Sequence, residues 1–183
     1  MKKTYLALLR GINVSGQKKI KMTDLKKLFE DAGFTNVQTY IQSGNVIFDS
    51  KSSDLNSIKK KIGMNIKSEY RFDVETITTT NDELNYVINH NPFVKEEKDV
   101  ERLYVTFLAG KPAPLNIANL KENNYLPEEY VVEGSCVYLF LPDGYGKAKL
   151  NNNFLENKLK VFATTRNWKT VNALYELSKK DSK

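Results

Sequence analysis

The chain has 183 residues, 40% of them hydrophobic and 11% aromatic, which allows one large domain or two small ones and excludes an intrinsically disordered protein. No apolar run approaches the roughly 18 residues that a membrane helix needs. The lone cysteine, Cys136, excludes an internal disulfide framework and fits a reducing cytoplasm. The net charge of +6 is uneven, since residues 1–80 and 147–183 each carry +6 while residues 81–146 carry −6. We therefore expect a cytoplasmic protein with a patchy surface field, in which solvated lysines are the simplest explanation of the basic balance.

The first part of the chain predicts a β-α-β-β-α-β order of elements. The segment from Thr4 to Leu9 is mostly apolar, as a strand buried on both faces would be. A helix with one apolar face begins near Met22 and is expected to end at Gly33 in the left-handed conformation. Asp54 offers an N-cap for a second helix. This is the ferredoxin-like pattern, with strands expected at residues 4–9, 36–41, 45–48 and 72–79.

The second part of the chain repeats the first. Tyr5 to Gly11 lines up without gaps on Tyr104 to Gly110, and the hairpin at residues 40–48 has its counterpart at residues 130–140. Two similar units are the economical interpretation of this internal match. The fourth strand of the second unit is expected to be missing or very short, around residues 161–163.

Between the two units, Thr80 and Glu83 form a capping box that opens a further helix, which Asn91-Pro92 should end. The acidic run at residues 95–101 is the expected linker. The fold class is therefore α+β, with antiparallel or mixed sheets and helices on one face. The expected organisation is a ferredoxin-like subdomain at 1–80, a helix and linker at 81–101, and a second α+β subdomain with a C-terminal helix at 102–183.

Several longer motifs resemble those of one known family. They are Leu8 to Val14, Tyr40 to Val46, Asn91-Pro92-Phe93, Pro142 to Gly146 with Lys149-Leu150, and Ala163 to Trp168. Over nearly its full length the chain resembles DUF1697, a bacterial family of uncharacterised proteins. The resemblance implies an α+β fold of two subdomains with a ferredoxin-like N-terminal part, and it implies no activity. Members of that family commonly have a basic residue followed by a serine ahead of the position of Leu150, whereas this chain has Lys147-Ala148-Lys149 there.

Polar residues cluster after the first strand and in the first hairpin. In a β-α-β-β-α-β unit the first two strands run parallel and the third lies between them, so the exit of strand one and the strand two–three turn share one sheet edge. We therefore expect an arginine that can clamp a carboxylate or phosphate, with amides and a hydroxyl that orient the ligand. The alternative is that the arginine packs along its stem and the amides satisfy loop backbone. The residues concerned are Arg10, Asn13, Gln42, Ser43 and Asn45.

A second polar group lies near the C-terminus. Residues 164–167 precede a helix, where free N–H groups and the positive end of the helix dipole would meet Arg166, and Asn167 belongs to the same segment. Lys149 follows a glycine-rich turn and is expected to support an anion. The alternatives are plain N-capping by Thr165 or Asn167, and a simple hairpin-to-helix turn at residues 143–149.

Two functions are compatible with these residues. The first is a site for an anionic or nucleotide-like small molecule in a polar cleft between the two subdomains. The second is RNA or DNA binding by basic loops and the sheet, with strand aromatics that stack bases, although the third strand lacks the Lys/Arg-Gly-Phe/Tyr element of an RNA-recognition domain. Those aromatics are Tyr5, Tyr40, Phe48 and Phe72.

No sequence pattern identifies a reaction, a cofactor or a metal. The chain contains no Ser/His/Asp arrangement, zinc-ligand spacing or dinucleotide fingerprint. His90 is the lone histidine and Cys136 has no evident partner base, so the first is expected to interact with a helix end and the second to belong to the core. If the chain is an enzyme, electrostatic stabilisation by the polar donors is the expected mechanism.

Overall fold

The computed structural model describes residues 2–14 and 16–179 of the chain. It divides into two compact units, the first comprising Met1–Asn85 with Leu174–Lys183 and the second Tyr86–Ala173. Each unit contains one four-stranded antiparallel sheet. Among the described residues no helix is long and apolar enough to cross a membrane.

Unit one follows the predicted β-α-β-β-α-β order. The elements are β1 (Lys3–Leu9), α1 (Met22–Asp31), β2 (Thr35–Tyr40), β3 (Asn45–Ser50), α2 (Leu55–Tyr70) and β4 (Thr76–Thr79). The sheet has the strand order β2-β3-β1-β4, with β3 between β1 and β2 and antiparallel to both. The fourth strand is shorter than predicted, because residues 72–75 lie before β4 and do not form part of the strand.

The core of unit one lies between the sheet and its two helices. Alternate residues of β1 pack in the same cluster as Phe29 of α1 and Ile62 of α2, so both helices cover one face of the sheet. The rings of Phe29 and Phe48 meet edge to face with centroids 5.3 Å apart. The predicted helix signals are confirmed, since Gly33 has a φ of 84° and the Asp54 carboxylate accepts from the N–H of Asn56.

The second unit repeats this topology. The remaining regular elements of the chain are α3 (Asn81–Asn89), α4 (Pro92–Lys95), β5 (Leu103–Leu108), α5 (Pro114–Lys121), β6 (Glu129–Glu133), β7 (Cys136–Phe140), α6 (Asn152–Leu159), β8 (Ala163–Asn167) and α7 (Trp168–Ser178). Short 3-10 helices occupy Val100–Arg102 and Tyr145–Lys147. The sheet of unit two has the strand order β6-β7-β5-β8, and its core again lies between the sheet and two helices, with Leu139 of β7 and Leu155 of α6 in one buried cluster. The boundaries between the units fall within α3 and α7.

The prediction that the fourth strand of unit two is missing or very short was wrong. β8 spans Ala163–Asn167 and pairs along β5 from Leu108 to Tyr104. The segment was missed because its threonines, arginine and asparagine do not alternate between apolar and polar. Pairing with the central strand makes it a strand nonetheless.

The duplication extends to single hydrogen bonds. In unit one the N–H of Leu9 donates to Gly44 O at 2.8 Å, and in unit two the N–H of Leu108 donates to Ser135 O at 2.9 Å. The next residue along also matches, since Arg10 N donates to the carbonyl of residue 75 at 2.9 Å and Ala109 N to that of residue 162 at 2.8 Å. These equivalences are those of the ungapped sequence match.

Candidate functional site

The exit loop of β1 and the β2–β3 turn lie side by side at one edge of the unit-one sheet. We call the described residues of these two segments, 10–14, 16–21 and 41–44, the rim. The N–H of Leu9 donates to Gly44 O at 2.8 Å, and Asn13 Nδ2 donates to Gln42 O at 2.9 Å. The expected neighbourhood of the two segments is therefore confirmed, because antiparallel pairing of β3 with both β1 and β2 brings their ends together.

Gly44 allows the two segments to approach this closely. Its φ of +75° favours glycine, and a Cβ at this position would lie 2.7 Å from Ile12 Cδ1 and 2.9 Å from Leu9 Cβ. Ile12 is itself only 1% exposed, so it has little room to move away. The hairpin thus rests directly on the first residues of the exit loop.

Asn13 holds the exit loop in shape. It has a φ of 56°, which asparagine tolerates better than most residues. Its Nδ2 donates to Ile20 O at 2.8 Å and to Gln42 O at 2.9 Å, while its Oδ1 accepts from the N–H of Ile20 at 2.9 Å. The amide that was predicted to orient a ligand therefore joins both ends of its own loop to the hairpin.

Asn45 closes the hairpin from inside. It is fully buried, and its Nδ2 donates to Tyr40 O at 3.0 Å and to Ser43 Oγ at 2.9 Å. Both amide hydrogens are thus engaged within the turn, and the Ser43 hydroxyl is held in one orientation. Asn45 acts on the rim by positioning Ser43.

The remaining side chains of the predicted set lie at the surface of the rim. Gln42 is exposed, whereas Arg10 and Ser43 are half-buried. The backbone of Arg10 is anchored, because its N–H donates to Glu75 O at 2.9 Å. The rim therefore combines a fixed backbone with a guanidinium, a primary amide and a hydroxyl, which is donor chemistry suited to an anion.

The segment that leads into β4 forms a further wall of the rim, which sequence reasoning missed. Besides the bond from Arg10 to Glu75, Lys18 Nζ donates to Asp73 O at 2.7 Å. These contacts join residues more than 50 positions apart through main-chain carbonyls. Because any residue supplies a carbonyl, the side-chain pattern of the sequence contained no signal for them.

Arg166 belongs to unit two and lies within β8 rather than in a loop before a helix. It is 6% exposed, and its Nη1 donates to Thr164 Oγ1 and to Thr165 O, both at 2.8 Å. Burial lowers the pKa of the guanidinium to about 10, so it still carries its charge at neutral pH. Residues 164–167 do precede a helix, as predicted, but the absence of a strand there was wrongly expected, since Arg166 pairs with Val105 of β5.

Asn167 caps the last helix. Its Oδ1 accepts from the N–H of Thr170 at 2.8 Å, and α7 begins at the next residue, Trp168. This is the N-capping alternative that the sequence left open. The cap already supplies an oxygen to the first turn of the helix.

Lys149 lies beside a carboxylate that the sequence did not single out. The N–H groups of Lys149 and Leu150 donate to the two oxygens of Glu128 at 2.8 and 2.9 Å, and Lys149 Nζ lies 5.1 Å from the ring centroid of Tyr125. The main chain of this turn therefore binds an anion, and that anion is a side chain of the same unit.

Three of the four strand aromatics do not form a base-stacking surface. Tyr5 and Phe48 are 3% and 0% exposed and belong to the core beneath the helices, while Phe72 precedes β4 and packs against the same core. The prediction that these three rings could stack nucleic-acid bases on the sheet was wrong, because β1 and β3 turn Tyr5 and Phe48 toward the helices and Phe72 lies outside the strands. Tyr40, the fourth, is half-buried at the end of β2.

The environments of Cys136 and His90 indicate structural rather than catalytic roles. Burial raises the pKa of the Cys136 thiol to about 11, so it is protonated at neutral pH. The His90 ring stacks on Tyr86 with centroids 3.9 Å apart, and its Nδ1 lies 2.8 Å from Tyr86 O. Within residues 2–14 and 16–179, no group of three or more His, Cys, Asp or Glu residues could hold a metal ion.

Comparison with known proteins identifies a family and a fold. A family model described as "Protein of unknown function (DUF1697)" matches residues 1–138. A solved structure of the conserved bacterial protein SP0830 from Streptococcus pneumoniae has a TM-score of 0.77 and 22% sequence identity, covering 98% of this chain and 100% of that one. No functionally curated protein matches the chain. At this identity the solved structure establishes the fold, which is the same mixed α+β architecture.

Proposed function

The chain belongs to the DUF1697 family, whose function is unknown, and from its own residues we propose that the rim of unit one binds an anionic or nucleotide-like small molecule. Arg10 neutralises the charge of the ligand, while Gln42 and Ser43 supply directional hydrogen bonds. Asn13 and Asn45 position these groups, as their contacts within the loop and the turn indicate. We place this activity in the cytoplasm, in keeping with the lone cysteine.

The observation that carries the proposal is the difference between two equivalent edges. Unit two makes the same pair of backbone bonds with Ala109 in the position of Arg10 and Ser135 in the position of Gly44. Its exit loop runs only from residue 109 to residue 113, and its hairpin turns at residues 134–135. Because unit two forms the same sheet with a shorter loop and turn, the fold does not require the longer loop and turn of unit one. We infer that they have a further function.

The chemistry of the rim suits carboxylates and phosphates. Arginine offers a planar fork of donors that matches both groups, and a half-buried position strengthens the interaction by limiting screening. The amide of Gln42 can donate and accept, so it can distinguish a polar ligand from a bare anion. If the bound molecule reacts, these donors would act by stabilising developing negative charge.

Thermal-shift measurements with a defined panel test this function. The panel contains inorganic phosphate, nucleoside mono- and diphosphates, and dicarboxylates such as succinate. We expect at least one member to raise the Tm of the native chain. Arg10→Ala and Gln42→Ala should each need at least a tenfold higher concentration of that ligand for the same rise in Tm. Both variants should keep the Tm of the ligand-free chain within a few degrees, because their side chains reach the surface.

The matched control is Ser135→Ala, which alters the equivalent edge of unit two. It should leave every ligand-induced shift unchanged. If every panel member that stabilises the native chain stabilised Arg10→Ala and Gln42→Ala equally, the rim would be removed as the site.

A further inference from the structure

A second polar feature of unit one lies between α2 and the segment that leads into β4, which also borders the rim. It is an open groove of about 330 Å³. Lys59, Lys60, Gly63 and Met64 line it from α2, and residues 73–76 line it from the other side. The α2 residues recur at the three- and four-residue spacing that places side chains on one helix face.

The charges around this groove favour an anion. Lys59, Lys60 and Lys67 line it together with two carboxylates, those of Asp73 and Glu75. Lys67 Nζ lies 3.0 Å from Asp73 Oδ1 and offsets that carboxylate. Outside the groove lining, Lys18 adds a further ammonium where it donates to Asp73 O at 2.7 Å. Cationic groups therefore outnumber carboxylates at the groove.

Gly63 is the second observation that points to a ligand. It lies in the interior of α2, where glycine is less stable than alanine. Its backbone does not require glycine, and a Cβ added there would meet nothing within 4 Å. Neither conformation nor packing explains the glycine, in contrast to Gly44. A bare stretch of helix backbone facing a groove is what the close approach of a ligand requires.

Met64 gives the groove an apolar side. Its side chain is 61% exposed, which is unusual for a large apolar residue on an otherwise charged helix face. The thioether is polarisable and makes favourable contacts with flat aromatic rings. A ligand that contacts the lysines and Met64 at once would combine an anion with an apolar ring.

We propose that this groove binds a nucleotide unit, with its phosphate at Lys59 and Lys60 and its base over Gly63 and Met64. The unit can come from a free nucleotide or from a single-stranded nucleic acid, since both present the same phosphate and base. The groove borders the rim through the shared segment at residues 73–76, but the proposed ligand-contacting residues all lie on α2 and none of them belongs to the rim.

The experiment is titration of the ¹⁵N-labelled chain with adenosine 5′-monophosphate (AMP), followed by amide chemical shifts. We expect saturable shifts at residues 59–67 and 73–76. Lys59→Gln combined with Lys60→Gln should weaken binding at least tenfold, while Lys61→Gln should change it less than twofold. Lys61 is the matched control because its Nζ lies 5.5 Å from the Phe34 ring, away from the groove.

Gly63→Ala separates binding from folding. It should raise Tm by roughly 2–4 °C, because alanine favours the helix, and weaken AMP binding at least tenfold, because the new methyl group occupies the bare surface. A raised Tm with unchanged AMP affinity would overturn the proposal, as would AMP titration that leaves the groove amides unshifted.

Three further arms identify what is recognised. Inorganic phosphate that binds as tightly as AMP would overturn the role of the base. If an octameric oligouridylate binds more tightly than uridine 5′-monophosphate, and its affinity falls steeply with salt, the nucleotide unit comes from a nucleic acid. If the two affinities are equal, the unit comes from a free nucleotide. Gln42→Ala should leave groove shifts intact, so failure at the rim and failure at the groove are distinguishable.

Discussion

The two units share a strand order and a pair of edge hydrogen bonds, yet they differ in what they attach to that edge. Unit two leaves its first strand through residues 109–113 and turns its hairpin at residues 134–135, whereas unit one uses residues 10–21 and 41–44. The topology is satisfied by the short version. The rim of unit one is therefore longer and more polar than the fold requires, and this makes it the candidate region for function.

The same comparison applies to single positions. Asn45 and Cys136 each begin the third strand of their unit, opposite Leu8 and Phe107 respectively. Both are buried, but the Asn45 amide donates hydrogen bonds within its turn, while the Cys136 thiol donates a weak hydrogen bond, 3.2 Å long, to Glu133 O. Burial is common to the two positions, and the polar network is particular to unit one.

The largest expected effect comes from comparing the two hairpin glycines. Gly44→Ala should destabilise the chain by about 3 kcal/mol, because it combines a strained positive φ with a clash against Ile12. Gly134→Ala should cost about 1 kcal/mol, since Gly134 has a φ of +58° but nothing within 4 Å of an added Cβ. Urea denaturation followed by circular dichroism measures both. Equal losses would mean that the close packing of hairpin on loop contributes nothing to stability.

A smaller effect is expected from the two arginines of the predicted site. Arg166→Ala should destabilise by about 2–3 kcal/mol, because it removes a buried side chain and leaves Thr164 and Thr165 O without its hydrogen bonds. Arg10→Ala should cost less than about 1 kcal/mol, since its side chain is half-buried. Chemical denaturation of both variants checks the difference.

Arg166→Met is the control for volume, since it keeps the aliphatic length without the charge. If Arg166→Met keeps most of the stability that Arg166→Ala loses, the loss is due to packing of the aliphatic stem. Stability unchanged in Arg166→Ala would contradict the burial of this side chain.

The smallest expected effect concerns Cys136. Burial raises its folded-state pKa to about 11, above the ordinary value of 9.0, so the folded chain binds more protons than the unfolded chain between these values. The stability that this thiol contributes is complete below about pH 9 and falls as pH rises toward 11, with a loss of about 1–2 kcal/mol by pH 10. Urea midpoints at pH 8, 9 and 10 should fall less steeply for Cys136→Ala than for the native chain, and parallel curves would contradict the raised pKa.

Much of the fold was predictable because it rests on local patterns. The apolar strand ending at Leu9, the capping residue Asp54 and the terminating Gly33 act within a few positions, and each was found where expected. β8 was missed because its strand character depends on pairing with β5, not on its own composition. Arg166 was misplaced for the same reason, since a polar segment looks like a loop until its pairing is known.

The candidate site divides in the same way. Topology alone placed the β1 exit beside the first hairpin, and Leu9 N bonded to Gly44 O confirms it. The sequence could not predict which amides hold the loop and turn and which one faces a ligand. Asn13 and Asn45 have the same chemistry as Gln42 and differ from it only in burial and hydrogen-bond partners. The wall at residues 73–76 rests on main-chain carbonyls and a groove with α2, neither of which is marked by residue type.

By itself the sequence determined the α+β class, the internal duplication, the family and the set of polar residues at the first hairpin, because periodicity, capping and motif identity are properties of neighbouring residues. Only the tertiary structure decided that Arg166 is a buried strand residue, that Tyr5 and Phe48 face the core, and that the α2 lysines line a groove with residues 73–76. Those outcomes depend on which segments pair and which face each side chain takes, and pairing joins residues that are far apart along the chain.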